Sequence, residues 1–307
     1  MRPLSLWEKN FNNLVTATRH PSHDLIIYQA AQSDLYADIA DFCEPLKINL
    51  EKMHEEIGGG FMEACIDADI GLAPADQAVL FKNFLRVLTM RRNQTATFMP
   101  RWSEQMDSQS SHVHLSLTDS SGNPVFWDAN DPNNMSQTFK HFIGGLQHYA
   151  GDLMLIFAPT VNSARRFTMD SFAPSSLTWG IENRTTSFRV VGNSPGSIRV
   201  ENRLPGADSN PYLTVAASLA AGLLGIKNQI DPAPAIVGNA FAQEHEARFH
   251  FPTDMAEAID RFKGSSAAHE YLGPRFVETF SASRAAQVEA FKDKELIDEL
   301  HRFFELG

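Results

Sequence analysis

Cysteine is nearly absent from this chain: Cys43 and Cys65 are the only two in 307 residues. That excludes a disulfide framework and points to a reducing compartment. No window approaches the roughly 18 apolar residues of a membrane span, so no membrane association is expected. The start, Met1-Arg2-Pro3-Leu4-Ser5-Leu6-Trp7-Glu8, lacks an apolar signal core, which predicts a cytoplasmic protein with no export signal. Basic residues are outnumbered, 26 against 37, and the formal net charge of −11 argues against nucleic acid or an anionic membrane as partner. Repeats, low-complexity tracts, charge blocks and a clear linker are also missing, so one domain over residues 1–307 is expected.

What is present is core-forming material: 43% of residues are hydrophobic and 10% aromatic, enough for a large buried core. Helical spacing predicts helices over Leu35–Leu50, Pro74–Arg92, Ser136–Phe157 and Pro211–Lys227, and through most of the chain after Pro252 with a break at Pro274. Alternating or β-branched runs predict strands over Phe61–Ile66, Thr95–Met99 and His112–Thr118, and two more between Arg184 and Arg203 around the turn Gly192–Gly196. Strands and helices do not alternate regularly, which favours an α+β fold over a doubly wound parallel sheet.

Three segments carry chemistry. In Arg199-Val200-Glu201-Asn202-Arg203, a strand would place Arg199, Glu201 and Arg203 on one face. Such a row serves either as a solvated charge ladder or as an anion site, since guanidinium forks fit paired oxygens. Arg165, Arg166, Arg184 and Arg189 precede it, and this concentration of arginine in an acidic chain favours the anion site. His112, His114 and Ser116 share a second strand face, suited to a metal or polyphosphate. Glu56 and Glu63 flank Gly58-Gly59-Gly60, whose backbone freedom would let both carboxylates address one hard cation.

Together with several neighbouring runs, these segments resemble the glutamine synthetase catalytic domain from about His54 to the C-terminus. The runs are His54-Glu55-Glu56 through Glu63, Thr95-Ala96-Thr97-Phe98-Met99-Pro100, His112-Val113-His114-Leu115-Ser116-Leu117, Pro159-Thr160-Val161-Asn162-Ser163, Asn183-Arg184, Arg199 to Arg203, and Asn210-Pro211-Tyr212-Leu213. The resemblance implies a curved antiparallel sheet lined by the active site and backed by helices, in homo-oligomeric rings. It implies ATP and Mg2+ or Mn2+ as cofactors. Glu56 and Glu63 match ligands of the metal that assists glutamate activation, and His112 and Glu201 match ligands of the metal that bridges the nucleotide phosphates. Arg166 and Arg203 match arginines near the glutamate substrate. Arg184, Arg189 and Arg199 match residues that neutralise the transferring phosphoryl group and ADP, while His114 and Ser116 line the nucleotide pocket. ATP would convert the γ-carboxylate of glutamate to an acyl phosphate, which a nitrogen nucleophile then attacks.

The sequence departs from the family in three places. The family's preceding β-grasp domain is not visible in this sequence, and Leu25-Ile26-Ile27-Tyr28 is followed by Gln29 and Ala30 rather than the paired acids of a Gly-x-Glu-x-Glu strand. The chain is therefore expected to be N-terminally truncated. Phe172 stands where ammonia-using members carry a glutamate, and Asp170 is a nearby alternative base. Asp107-Ser108-Gln109-Ser110 replaces the Asn-Gly-x-Gly that precedes the histidines. The expected function is a γ-glutamyl-amine ligase acting on glutamate and an organic amine. Glutamine synthesis from ammonia is the alternative within the class, and a catalytically silent scaffold the alternative outside it.

Overall fold

The computed structural model describes residues 11, 14–18, 23, 25–167 and 172–306. The chain packs as two compact units, one of Met1–Asp107 with Asp293–Gly307 and one of Ser108–Lys292. Mixed α and β structure runs through both.

In the first unit, α1 (Ile26–Ala31) and α2 (Ser33–Cys43) lead to a two-stranded antiparallel hairpin, β1 (Leu50–Glu55) and β2 (Met62–Ile66), followed by α3 (Ala73–Arg91). The hairpin obeys strand periodicity. Met53, Met62 and Ala64 pack on a core of Leu35, Ile39, Cys43, Ile48 and Phe81. The intervening residues of each strand therefore take the opposite face. Helix α2 ends at Cys43, well short of the expected Leu50: Glu44 is still helical in φ and ψ, but Pro45 has no N–H to continue the ladder. Residues 95–99 form no strand. Ala96 N–H donates to Thr89 Oγ1 and Met99 N–H to Thr97 Oγ1, so side chains rather than a partner strand satisfy this backbone.

The second unit is built on a four-stranded sheet of order β3-β6-β5-β4, comprising β3 (Val113–Leu115), β4 (Trp179–Ile181), β5 (Phe188–Val191) and β6 (Arg199–Asn202). The pairs β3·β6 and β6·β5 are antiparallel as expected, but β4 pairs β5 in parallel. The connection between them, 182–187, is short. Glu182 reverses the chain at φ 50°, and Asn183 ties the loop through its Oδ1 to Thr185 and its Nδ2 to the carbonyls of Ile236 and Gly238. Phe188, Val190 and Val200 point into the main core, leaving Arg189, Arg199 and Glu201 on the other face.

The expected helix over 136–157 is broken into α4 (Gln137–Tyr149) and α5 (Met154–Phe157) by a turn at 150–153. Gly151 lies in that turn, where an added Cβ would stand 3.0 Å from Leu177 Cδ1. A short α6 (Val161–Ala164) follows, then α7 (Pro211–Lys227), which packs along α4. Asn210 starts α7 by accepting from the N–H groups of Tyr212 and Leu213, with Pro211 at the first helical position. Gly145 and Gly225 let the two helices meet at backbone distance: a Cβ on Gly145 would lie 2.6 Å from Gly225 Cα. α8 (Met255–Gly264), α9 (Ser266–Leu272) and α10 (Pro274–Ala290) complete this unit, and a last helix, Leu296–Phe303, returns to the first. No helix among the described residues is long and apolar enough to cross a membrane.

Candidate functional site

Two clusters of chemically active side chains stand out, one in each unit. The first lies on the hairpin face turned away from its core. Register sets His54 directly opposite Glu63, and Glu56 follows two residues after His54 on the same face. The glycine turn closes the hairpin, with Glu56 N–H donating to Phe61 O at 2.9 Å and Gly60 at φ +74°. His54 Nε2 lies 3.4 Å from Glu56 Oε1 and 3.7 Å from Glu63 Oε2, and His23 Nδ1 lies 3.7 Å from Glu56 Oε2. Burial and the facing Glu63 carboxyl raise Glu56 above the usual carboxylate range. Among the described residues, His54, Glu56 and Glu63 are the one group of three metal-competent side chains whose ligand atoms lie within 4.8 Å of one another. The adjacent Glu55 points the other way: it is fully buried, with Gln32 Nε2 and Tyr36 OH donating to it.

The second cluster centres on Glu201 in β6. Register places His114 beside it on β3 and Arg189 beside it on β5. Its Oε1 accepts from Arg203 Nη1 at 2.8 Å and pairs with His112 Nδ1 at 2.9 Å, while Oε2 accepts from Arg189 Nη1 at 3.2 Å. Burial would raise this carboxyl, but His112, Arg203 and His114 outweigh burial and hold it well below the carboxylate range. Burial likewise pushes His112 below the usual imidazole range against the pull of Glu201. A neutral His112 fits the network, with Nδ1–H donated to Glu201 and Nε2 accepting from the Ser110 hydroxyl at 2.9 Å. His114 is held down to about 4 by desolvation, and its Nδ1 accepts from Arg199 Nε at 3.1 Å.

Arg203 is 7% exposed and Arg166 1% exposed, so both guanidiniums lie within the unit. Arg166 donates to the Leu204 carbonyl, and burial pulls it down to about 10, still a cation at neutral pH. The Nε atoms of Arg189 and Arg203 are buried without a hydrogen-bond partner among the described residues. Donors of that kind suit an anion.

With this geometry in hand, comparison with known proteins is decisive. Residues 7–302 match the family described as glutamine synthetase, catalytic domain. The chain belongs to that family. A glutamate–isopropylamine ligase of a Pseudomonas species is 34% identical over 263 residues, covering 86% of this chain and 57% of the relative. The γ-glutamylethanolamide synthetase GlnA4 of Streptomyces coelicolor is 31% identical over 300 residues, covering 97% of this chain and 63% of the relative. The solved structure of GmaS without ligand superposes with a TM-score of 0.82 at 27% identity, covering 93% of this chain and 66% of that one. GmaS has also been solved as an ADP complex. The chain thus spans about six-tenths of the length of these relatives, whose printed names describe carbon–nitrogen ligases or synthetases.

Of the residues picked out as glutamine-synthetase-like, the structure brings His112, His114, Arg189, Arg199, Glu201 and Arg203 into one cluster, with Arg166 close enough to bias the charge of His112. Glu56 and Glu63 meet on the hairpin. Arg184 is exposed in the 182–187 loop, and its charge is felt at Arg203. Ser116 is exposed just beyond β3. Asp170 lies outside the described residues, and Phe172 is 67% exposed.

Three participants escaped sequence inspection: His54, Ser110 and Glu182. Glu182 shares Arg189 with Glu201 through a short ion pair. His54 could have been found from strand periodicity, since it sits two residues before Glu56. Nothing in the sequence announces Glu182, because its approach depends on the left-handed turn and the parallel pairing that follows.

Proposed function

We propose that this chain is the catalytic portion of an ATP-dependent ligase that forms a γ-glutamyl amide from glutamate and an organic amine through a γ-glutamyl phosphate. The observation that carries this reading is the row on β5 and β6. One buried carboxylate, Glu201, orients two guanidiniums and an imidazole, and the Nε–H groups of Arg189 and Arg203 remain unspent. Phosphoryl transfer to a carboxylate needs little covalent help from protein. It needs fixed positive charge aimed at the phosphate and carboxylate oxygens, which such a row supplies.

The residues present fit divalent cations. The hairpin offers two carboxylates and an imidazole around one point. His112 Nδ1 and Glu201 Oε1 stand 2.9 Å apart, about the spacing of adjacent ligands on a small ion with bonds near 2.1 Å. Glu56 and Glu63 would hold one ion and His112 and Glu201 the other. A bound Mg2+ or Mn2+ supplies charge neutralisation for the transferring phosphoryl group. Arg189, Arg199, His114 and Ser116 would bind nucleotide, Arg184 would join Arg189 and Arg199 in neutralising the transferring phosphoryl group, and Arg166 and Arg203 would hold glutamate and its phosphorylated form.

An amine rather than ammonia is favoured by Phe172, an aromatic that cannot accept a proton at the position where ammonia-using members carry glutamate. The names of the Pseudomonas and Streptomyces relatives, which describe isopropylamine and ethanolamide chemistry, lend support. The test is glutamate-dependent ADP release by the purified chain against ammonia, alkylamines, ethanolamine and polyamines. Turnover with an amine and not with ammonia is expected. Turnover with ammonia alone overturns the amine assignment, and no glutamate-dependent ADP release with any nucleophile overturns the ligase reading for this chain.

A further inference from the structure

We infer that His54 is a direct metal ligand that makes the hairpin a mixed nitrogen–oxygen site, selective for Mn2+ over Mg2+. The inference rests on the proposed cation site at Glu56 and Glu63 and says which ion that site takes.

The ring is held with Nδ1 inward, buried and without a hydrogen-bond partner among the described residues, so Nε2 is the nitrogen offered to the face. Its separations of 3.4 Å and 3.7 Å from the two carboxylates exceed those of a good hydrogen bond. Neither acid captures the ring. Around an ion with bonds of about 2.1 Å, adjacent ligand atoms stand roughly 3.0 Å apart and opposite ones roughly 4.2 Å. The measured separations fall between these, as expected for ligands around a common centre. Orientation of Glu63 agrees: Cys65 Sγ–H donates to its Oε1 at 3.0 Å, while Oε2 is the atom nearest His54.

Position in the fold explains why His54 is available. It stands opposite Glu63 in an antiparallel register, two residues from Glu56, so all three side chains leave one face of a hairpin braced behind by Met53, Met62 and Ala64. The donor set then decides the ion. Mg2+ holds out for oxygen ligands and sheds water reluctantly, whereas Mn2+ accepts imidazole beside carboxylates and stands in the series of divalent ions that bind nitrogen. A histidine in place of a third oxygen donor shifts the balance toward Mn2+.

Mn2+ binding to the full 307-residue chain can be followed by electron paramagnetic resonance, with Mg2+ as competitor. His54→Ala is expected to weaken Mn2+ binding by about 10–100-fold, the order seen when a supporting group of a metal site is lost. His54→Glu, which restores an oxygen donor, is expected to move the Mn2+/Mg2+ affinity ratio toward Mg2+ by about tenfold or more. Electron spin-echo modulation from imidazole nitrogen should persist in His112→Ala and vanish in the His54→Ala, His112→Ala double variant. Circular dichroism melting of each variant without metal reports whether the hairpin unit still folds.

Loss of Mn2+ binding in Glu56→Gln and Glu63→Gln, with affinity and ion preference unchanged in His54→Ala and His54→Glu, overturns the role of His54 alone. Unchanged Mn2+ binding in the two glutamate variants removes the hairpin site altogether, and the metal assignment in the proposed function falls with it.

Discussion

Glu56 and Glu201 are the same residue type in opposite circumstances. Glu201 is 3% exposed and surrounded by donors: His112, Arg189 and Arg203 all reach its two oxygens. Its charge is satisfied by the chain, and its carboxyl is held far down. Glu56 faces another carboxylate and two histidines, and its carboxyl is raised by burial and by Glu63. The sheet cluster has neutralised its acid from within and keeps arginine donors to spare. The hairpin brings two carboxyl groups and an imidazole to one face. One region gathers arginines around a single carboxylate, and the other gathers carboxylates around an imidazole.

The largest effect should come from removing the carboxylate at the centre of the sheet cluster. Glu201→Ala leaves the buried Arg203 without its carboxylate and Arg189 with Glu182 alone, and breaking a buried pair from one side costs about 3–5 kcal/mol. Chemical denaturation should show that loss, and Glu201→Gln, which keeps the shape and some acceptors, should show less. An equal loss in both variants would mean that packing, not charge, holds the row.

Next in size is the response of the hairpin to metal. A ligand at about a hundred times its Kd stabilises the state it binds by about 2.7 kcal/mol. Mn2+ at that excess should raise the melting temperature of the wild-type chain, and Glu63→Gln should abolish most of the rise. Without metal the same variant should be slightly more stable than wild type, by about 0.5–1 kcal/mol or less, because a half-exposed like-charge contact is removed. If Glu63→Gln destabilises the metal-free chain, the two acids are not in conflict and the contrast with Glu201 fails.

Much of this contrast was legible before any coordinates. The period of two put Arg199, Glu201 and Arg203 on one face, and strand register then made Glu201 the hub. Apolar spacing gave α3 and α7 to within a residue or two, and the helical character of the chain after Pro252 with a break just before Pro274, though not the boundaries of the separate helices there. Other features were hidden because they depend on tertiary partners. Thr95–Met99 is β-branched enough to pass for a strand, but its backbone is satisfied by threonine hydroxyls. Pro45 did signal the end of α2, and the apolar spacing beyond it was misleading. The turn at 150–153 that splits the predicted helix interrupts an apolar spacing that runs straight through it. His54 was passed over because acids drew attention to the hairpin, although its position two residues before Glu56 carried the information.

The smallest predicted effect supplies a control for the comparison, since Glu201 and Glu56 differ in burial as well as in partners. Glu257 separates the two variables. It sits in the first turn of α8, where its carboxylate accepts from Thr253 N–H and Oγ1 at 2.7 Å each and from Arg261 Nε at 2.8 Å. Those donors, the backbone of Thr253 first, lower it from 4.5 to about 2 although it is only partly buried. A carboxyl depressed on folding adds stability that is complete above its unfolded pKa and is lost as pH falls through the folded one. Glu257→Gln should therefore melt slightly below wild type at neutral pH, and the gap should close as pH drops from 4.5 toward 2. A gap that persists at the acid end would assign the difference to helix capping geometry rather than charge. Closure would show that a few donors can depress a carboxyl without deep burial, as His112 and Arg203 depress the buried Glu201.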